Sequence, residues 1–328
     1  MKLYANNKVL DLNVPQIMGI LNFTPDSFSD SGQFYQLDKA LIQIEKMLQA
    51  GASIIDIGGE STRPNADEVT LEQELERVVP LVEAVRKRFD CWISVDTSKA
   101  QVMVESAKVG MDLINDIRAL QEPQALETAL KLGLPVCLMH MQGQPRTMQA
   151  NPYYDDVVGE VLEFLQKRTA LCLKAGMKPE NIIWDVGFGF GKTVQHNYKL
   201  LQQLARFAVE GFPLLAGLSR KSMIGAVLDK TVEQRVMGSA AGALIAAMNG
   251  ATILRVHDVR AAVEAADGIR LGQADDMAGE ALIIQIGIDP RGEGDAFHAV
   301  SCPERRALSA SGGRTAQSRR RLPLVRTL

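Results

Sequence analysis

Eight short apolar runs, each ending on a polar or charged side chain, constrain the fold of this chain more than any other feature. They are residues 17–21 followed by Asn22, 54–57 followed by Gly58-Gly59-Glu60, 92–95 followed by Asp96, and 113–114 followed by Asn115-Asp116. The series continues with 136–139 followed by His140, 182–184 followed by Asp185, 214–218 followed by Ser219-Arg220-Lys221, and 253–254 followed by Arg255-Val256-His257. A buried strand stops on a carboxylate, an amide or a guanidinium when that end faces a polar site. Eight such ends gathered on one rim make a single site, which is the geometry of a (β/α)8 barrel with its reactive groups at the carboxyl ends of the strands.

The segments between the runs read as helices. Leu37, Leu41, Ile44 and Leu48 recur at helical spacing, as do Leu71, Leu75, Val78, Val82, Val85 and Phe89, and each set forms one apolar face. A glycine stands at the helix-to-strand joint in Gly51, Gly110, Gly133, Gly176, Gly211 and Gly250, where a left-handed residue ends a helix. Strand, helix, glycine, strand is the grammar of parallel βαβ units. Eight regular units favour closure over an open doubly wound sheet. Residues 2–12, with Asn6-Asn7 at their centre, read as a hairpin able to plug the lower mouth. Two loops, 23–36 and 58–69, are long, rich in turn formers and placed after strands, so both belong on the reactive face as lids or binding loops.

The 328 residues suffice for one barrel of roughly 250 residues plus an extension. A net charge of −3 offers no global attraction to nucleic acid or to a membrane surface. The apolar stretch 240–248 is far shorter than the ~20 residues that span a bilayer. The N-terminus carries no signal-peptide core, and Cys91, Cys137, Cys172 and Cys302 show no paired spacing, so reduced thiols in a cytoplasmic protein are expected. The barrel is expected to occupy residues 1–267, with a shortened last helix interrupted at Gly268 and Gly272. Residues 268–328 form an extension expected to be disordered from about 285, and from Arg305 onward it carries seven arginines and no acid.

Three cationic clusters converge on the expected rim: Arg63, Arg220-Lys221, and Arg255 with His257. Barrels commonly hold phosphate at the loops after the last two strands. Arg63 alone would read as a surface ion pair, and His257 alone as an ordinary strand-end histidine. Arg255, set between Leu254 and Val256 inside a strand, needs an anion. Ser219 and Ser222 suit capping of the following helix or contact with that anion. Asp96, Asn115 and Asp185 offer acceptors to a flat heterocycle bearing N–H groups, or simply pair with Arg255 or Lys221. Phe188 and Phe190, in Gly187-Phe188-Gly189-Phe190-Gly191-Lys192, can stack on a ring. Met139 either lines the same pocket or packs in the core.

Read together, these runs resemble the dihydropteroate synthase family. The residues that carry the resemblance are 19–30, 56–64, Ser94-Val95-Asp96-Thr97, Asn115-Asp116-Ile117, Leu138-Met139-His140-Met141, 187–192, Ser219-Arg220-Lys221-Ser222 and Arg255-Val256-His257-Asp258, within a match over about residues 1–266. The resemblance implies a transferase of folate biosynthesis. It would join 6-hydroxymethyl-7,8-dihydropterin diphosphate to 4-aminobenzoate, release diphosphate and be a target of sulfonamides. It also implies that Asp96, Asn115, Asp185 and Lys221 hold the pterin, and that Arg255 stacks near it while facing the diphosphate. Arg63 and His257 would bind diphosphate, and Asn22 would ligate Mg2+. Thr62, Pro64, Phe28, Phe190 and Ser222 would frame the aminobenzoate. Members are usually homodimers. Val186 stands where the family usually has proline. Two other readings stay open: a methyltetrahydrofolate-binding methyltransferase barrel, and a pterin-binding protein left inactive by its altered C-terminus.

Overall fold

A computed structural model describes residues 1–24, 33–60, 69–145 and 147–276. The eight runs form eight strands: β3 (Gln16–Asn22), β4 (Ile54–Gly58), β5 (Trp92–Asp96), β6 (Leu113–Asp116), β7 (Val136–Met139), β8 (Ile182–Asp185), β9 (Leu214–Ala216) and β10 (Ile253–Val256). They pair in parallel and in order, and β10 closes the barrel by pairing with both β3 and β9. The register places Gly58 opposite both Asn22 and Asp96, and Asp96 opposite Asn115, so these residues meet at one end of the barrel.

The two periodic segments are helices α1 (Gln33–Gln49) and α2 (Leu71–Arg88). Thr70 starts α2 with a reciprocal cap: its hydroxyl accepts from the Gln73 N–H, and the Gln73 side chain accepts from the Thr70 N–H. Val78, Leu81, Val82 and Val85 turn its apolar face onto the barrel. The remaining helices are α3 (Ala100–Lys108), α4 (Ala125–Leu132), α5 (Val157–Lys174), α6 (Val194–Gln202), α7 (Ala205–Ala208), α8 (Ser222–Leu228), α9 (Val236–Met248) and α10 (Val259–Asp276). All six joint glycines have positive φ, from 64° to 111°, as their position before a strand predicts.

The last helix departs from expectation. α10 runs through Gly268 to Asp276, past the boundary set at residue 267. Gly268 and Gly272 each cost a helix about 1 kcal/mol, and the helix is anchored ahead of them by Val259, Ala262 and Ala266 packed in the core. The expected disorder from about 285 lies outside the described residues.

Below the barrel, β1 (Lys2–Ala5) and β2 (Lys8–Asp11) form the expected hairpin, turning at Asn6 and Asn7 with φ of 48° and 61°. Its anchor is Asp112, fully buried just before β6. Asp112 accepts from Asn6 Nδ2 at 2.9 Å, from the Ile93 N–H at 2.9 Å and from Arg86 Nη2, while Lys8 donates to the Cys91 carbonyl at 2.7 Å. Asp112→Ala strands the Arg86 guanidinium and frees the hairpin. It should cost about 3 kcal/mol or more, read as a shift of the urea unfolding midpoint, with Asp112→Asn recovering part of the loss.

Candidate active site

The inward-facing positions near the strand ends carry charge. Arg255, on β10, crosses the barrel to two carboxylates: Nε donates to Asp56 Oδ2 at 2.7 Å and Nη2 to Asp96 Oδ2 at 2.9 Å. Asp56 is fully buried and also accepts from Ser94 Oγ at 2.6 Å and from Asn115 Nδ2, 3.3 Å from each oxygen. Burial works against the charge on Arg255, but Asp56 and Asp96 outweigh it and hold the guanidinium above its ordinary value. Burial pushes the Asp96 carboxyl up, with Arg255 opposing and Asp56 reinforcing the shift. Charge at this centre is thus held by geometry rather than by solvent.

Asp185 and Lys221 form the second charged pair. Asp185 ends β8 and accepts from the Gly187 N–H at 2.7 Å. Burial raises its carboxyl and Lys221 pulls it back down. Lys221 precedes α8; its Nζ donates to the Phe188 carbonyl and lies 4.6 Å from the centre of the Phe190 ring. Burial lowers its ammonium to about 8, against the opposing pull of Asp185. Gly189, with φ of 79°, lets the Lys221 stem pass, since a Cβ there would stand 3.1 Å from Lys221 Cδ. Beside this pair Met139, Ile117, Met148 and Phe190 form an apolar cluster separate from the main core.

The third group joins the loops after β9 and β10. Ser219 Oγ accepts from the His257 N–H at 3.1 Å and lies 3.2 Å from His257 Nδ1. Arg220, at φ of 59°, pairs through both nitrogens with Asp258, at 2.5 and 2.8 Å. Each partner adjoins a candidate, Lys221 or His257, so the pair fixes their separation. Asn22 ends β3; its Oδ1 is 3.6 Å from where a Cβ on Gly58 would stand, and Asp96 Cβ is equally close to that point. Among the described residues no cluster of three or more His, Cys, Asp and Glu is arranged to hold a metal.

Carboxylates, an amide, two cations and the Phe190 ring thus collect at the carboxyl ends of the barrel strands. Residues 18–257 match the profile of a family described as pterin binding enzyme. The chain belongs to that family. Within it the chain is 78% identical over 261 residues to the dihydropteroate synthase of Haemophilus influenzae, covering 80% of this chain and 95% of that relative. It is 57% identical over 265 residues to the Escherichia coli K12 enzyme of the same name, covering 81% and 94%. A solved Yersinia pestis dihydropteroate synthase, in a sulfonamide drug complex, superimposes with a TM-score of 0.80 at 56% identity, covering 84% of this chain and all of that one. A Xanthomonas albilineans dihydropteroate synthase with 4-aminobenzoic acid gives 0.79 at 44% identity, covering 83% and 98%.

Of the residues that the dihydropteroate synthase resemblance singles out, the structure gathers Asn22, Asp96, Asn115, Met139, Asp185, Phe190, Lys221, Ser222, Arg255 and His257 at one end of the barrel. Phe28, Thr62, Arg63 and Pro64 lie outside the described residues. Four strand-end groups do not face the site. Glu60 turns to Lys99, at 2.6 Å. Asp116 accepts from the backbone N–H groups of Arg118 and Leu120, at 2.8 Å each, and from Ser98. The His140 ring meets Lys192 and the edge of Phe164. Arg220 is committed to Asp258 rather than to an anion. Neither serine makes a side-chain cap for α8: Lys221 is its capping residue, Ser222 its first residue, and Ser219 serves His257. Val186 is fully buried in the main core. Two residues escaped attention at the sequence level, Asp56 and Lys192. The signal for Asp56 was a carboxylate inside the apolar run 54–57, at the same strand parity as Gly58.

Proposed function

We propose that this chain is a dihydropteroate synthase that condenses 6-hydroxymethyl-7,8-dihydropterin diphosphate with 4-aminobenzoate to 7,8-dihydropteroate and diphosphate. The observation that carries this reading is Arg255 spanning Asp56 and Asp96, with Lys221 and His257 at the same rim. The methyltransferase alternative gives no reason for cations on that rim, and the relatives carry the synthase name at up to 78% identity. Against the inactive-protein alternative stand the last helix, which reaches Asp276, and the synthase name of the relatives.

In this reading Asp96 and Asp185 accept ring N–H groups of the pterin. Asn115 is oriented by its amide bonds to Asp56, and Lys221 donates to a ring carbonyl. The pterin methylene C–O bond breaks with its electron pair passing to the diphosphate, and Arg255 and His257, with Arg63 from its loop, hold the departing charge. Preorganised cations in a water-poor site act on charge as it develops. The neutral arylamine nitrogen then bonds to the methylene carbon of the pterin cation. Its surplus proton leaves to diphosphate or water, so no strong base is needed. Phe190 and Ser222, with Phe28, Thr62 and Pro64, frame the aminobenzoate.

The donors near the β3 end fit Mg2+ carried by the diphosphate. Asn22 offers a neutral oxygen, the nearby carboxylates Asp56 and Asp96 are engaged by Arg255, and Mg2+ characteristically keeps waters and substrate phosphates with few protein ligands. Asn22 would hold the ion, which when bound adds positive charge opposite the leaving group.

Diphosphate release from the two purified substrates tests the assignment, together with its inhibition by a sulfonamide. Failure to form 7,8-dihydropteroate from the two substrates, or its formation at an unchanged rate when a sulfonamide is present in excess, would defeat it. The charge on Lys221 exists below about pH 8 and is lost above it. Accordingly kcat/KM for the pterin diphosphate is expected to fall as pH rises through about 8, and Lys221→Arg, which does not titrate there, should move that limb upward.

Two further expectations attach to this reading. Met237, Ile245 and Met248 of α9 are exposed, Met237 by 78%, which supports pairing of two copies through that face; light scattering during gel filtration measures it. Cys91, Cys137 and Cys172 are buried free thiols, and among the described residues no helix is long and apolar enough to cross a membrane, which supports a cytoplasmic location.

A further inference from the structure

The turn between β8 and α6 encloses a buried lysine amine that the reaction above leaves unused. Lys192 is 3% exposed, and burial holds it well below the ordinary lysine value, with Asp185 opposing. Its hydrogen-bond partners are all neutral: the Gly187 carbonyl at 2.9 Å, the Phe190 carbonyl at 3.0 Å, the His140 carbonyl at 3.4 Å and His140 Nδ1 at 2.9 Å. Burial, and then the neighbouring ammonium, lower His140 to about 2, so its ring nitrogen acts as a neutral acceptor. A desolvated amine among neutral partners is costly, and a methionine would fill the same volume without that cost.

The geometry shows what the amine does. Gly187, Gly189 and Gly191 all have positive φ, at 68°, 79° and 63°. Such a segment has wide conformational freedom and needs to be tied. The turn is closed by the Phe190 N–H donating to the Gly187 carbonyl at 3.1 Å. Lys192 binds that same carbonyl and the carbonyl of Phe190, so one ammonium fastens both ends of the turn. It also presses the turn onto the residues after β7, where a Cβ on Gly187 would stand 1.9 Å from the His140 carbonyl oxygen. What the turn presents outward is the Phe190 ring, beneath the Lys221 ammonium. Asp185 is tied twice, its backbone carbonyl accepting from the His140 N–H at 3.0 Å and its carboxylate from the Gly187 N–H at 2.7 Å, whereas Asp96 and Asn115 sit on strands away from the turn.

We propose that Lys192 is a positioning residue chiefly for the arylamine half of the site, stapling the turn that aims Phe190 at the aminobenzoate while the strand residues Asp96 and Asn115 keep the pterin in place. The proposal rests on the synthase reading. If the native enzyme releases no diphosphate, that reading fails; the staple is tested only against an active enzyme.

The test is a double-mutant cycle of Lys192→Met and Phe190→Ala in the full chain, with both substrates varied and sulfanilamide as the inhibitor. For Lys192→Met, KM for 4-aminobenzoate and Ki for sulfanilamide should both rise about tenfold, with KM for the pterin diphosphate within about twofold of native. The double variant should be no worse toward aminobenzoate than Phe190→Ala alone, because the staple acts through that ring. Equal loss toward both substrates, unchanged kinetics or additive single effects would each overturn the proposal. If Lys192→Met does not accumulate folded, Lys192→Gln carries the same cycle, and the same three outcomes overturn it.

Discussion

Replacing Arg255 with methionine is expected to lower kcat/KM by about 10³-fold or more and to destabilise the fold by about 3–5 kcal/mol. Both effects come from one guanidinium. For chemistry, the proposed reaction sets this guanidinium against departing diphosphate, and loss of a single preorganised donor of that kind typically costs two to three decades. For stability, its removal leaves Asp56 fully buried and Asp96 nearly so, facing each other without a counter-charge. The two effects can be separated. Adding Asp56→Asn to the Arg255→Met background removes one stranded carboxylate, so unfolding stability should recover by more than a kcal/mol while turnover stays lost. Denaturant titration and diphosphate release measure the two quantities. A double variant no more stable than Arg255→Met would mean that the carboxylates are not the source of the strain.

Asp185→Asn should weaken pterin binding by about 100-fold, in line with loss of a charge-assisted hydrogen bond to a buried donor. Asparagine can keep the contact with the Gly187 N–H through its carbonyl, so the turn should hold and the loss should fall on the ligand. The substitution also removes the carboxylate that opposes the fall in Lys221. The ammonium should then lose its proton at lower pH, and the alkaline limb of kcat/KM should move below the native value of about 8. Calorimetry with the pterin and a pH–rate profile check the two parts. An unmoved limb would show that Asp185 does not hold the charge on Lys221.

Strand parity explains both what could be read from the amino acids and what could not. Asn22, Asp96, Asn115, Asp185 and Arg255 close apolar runs at inward-facing positions, so one rule located them all. Where two polar residues stood together, the run alone did not say which faced inward: Asn115 turns to Asp56, while its neighbour Asp116 turns out to cap a loop. His140 is likewise one step out of phase with Met139. Asp56 was hidden because a charge within a run looks like an exception, yet it is the partner that a strand arginine requires. Arg220 could not be sorted from Lys221 by sequence, since its commitment depends on Asp258, 38 residues away. The role of Lys192 was unreadable for a related reason. Its partners are mostly backbone carbonyls, which every residue has, and only folding shows which of them converge on one amine.

The hairpin beneath the barrel has a consequence for molecular traffic. With Leu3 and Leu10 buried and Asn6 and Lys8 bonded to the backbone at Met111 and Cys91, the hairpin covers the strand-start end among the described residues, away from the charged strand ends. On the proposed function, both reactants would then arrive, and both products leave, at the charged end, so that the hairpin's work is to keep water and solutes from reaching the strand starts from behind.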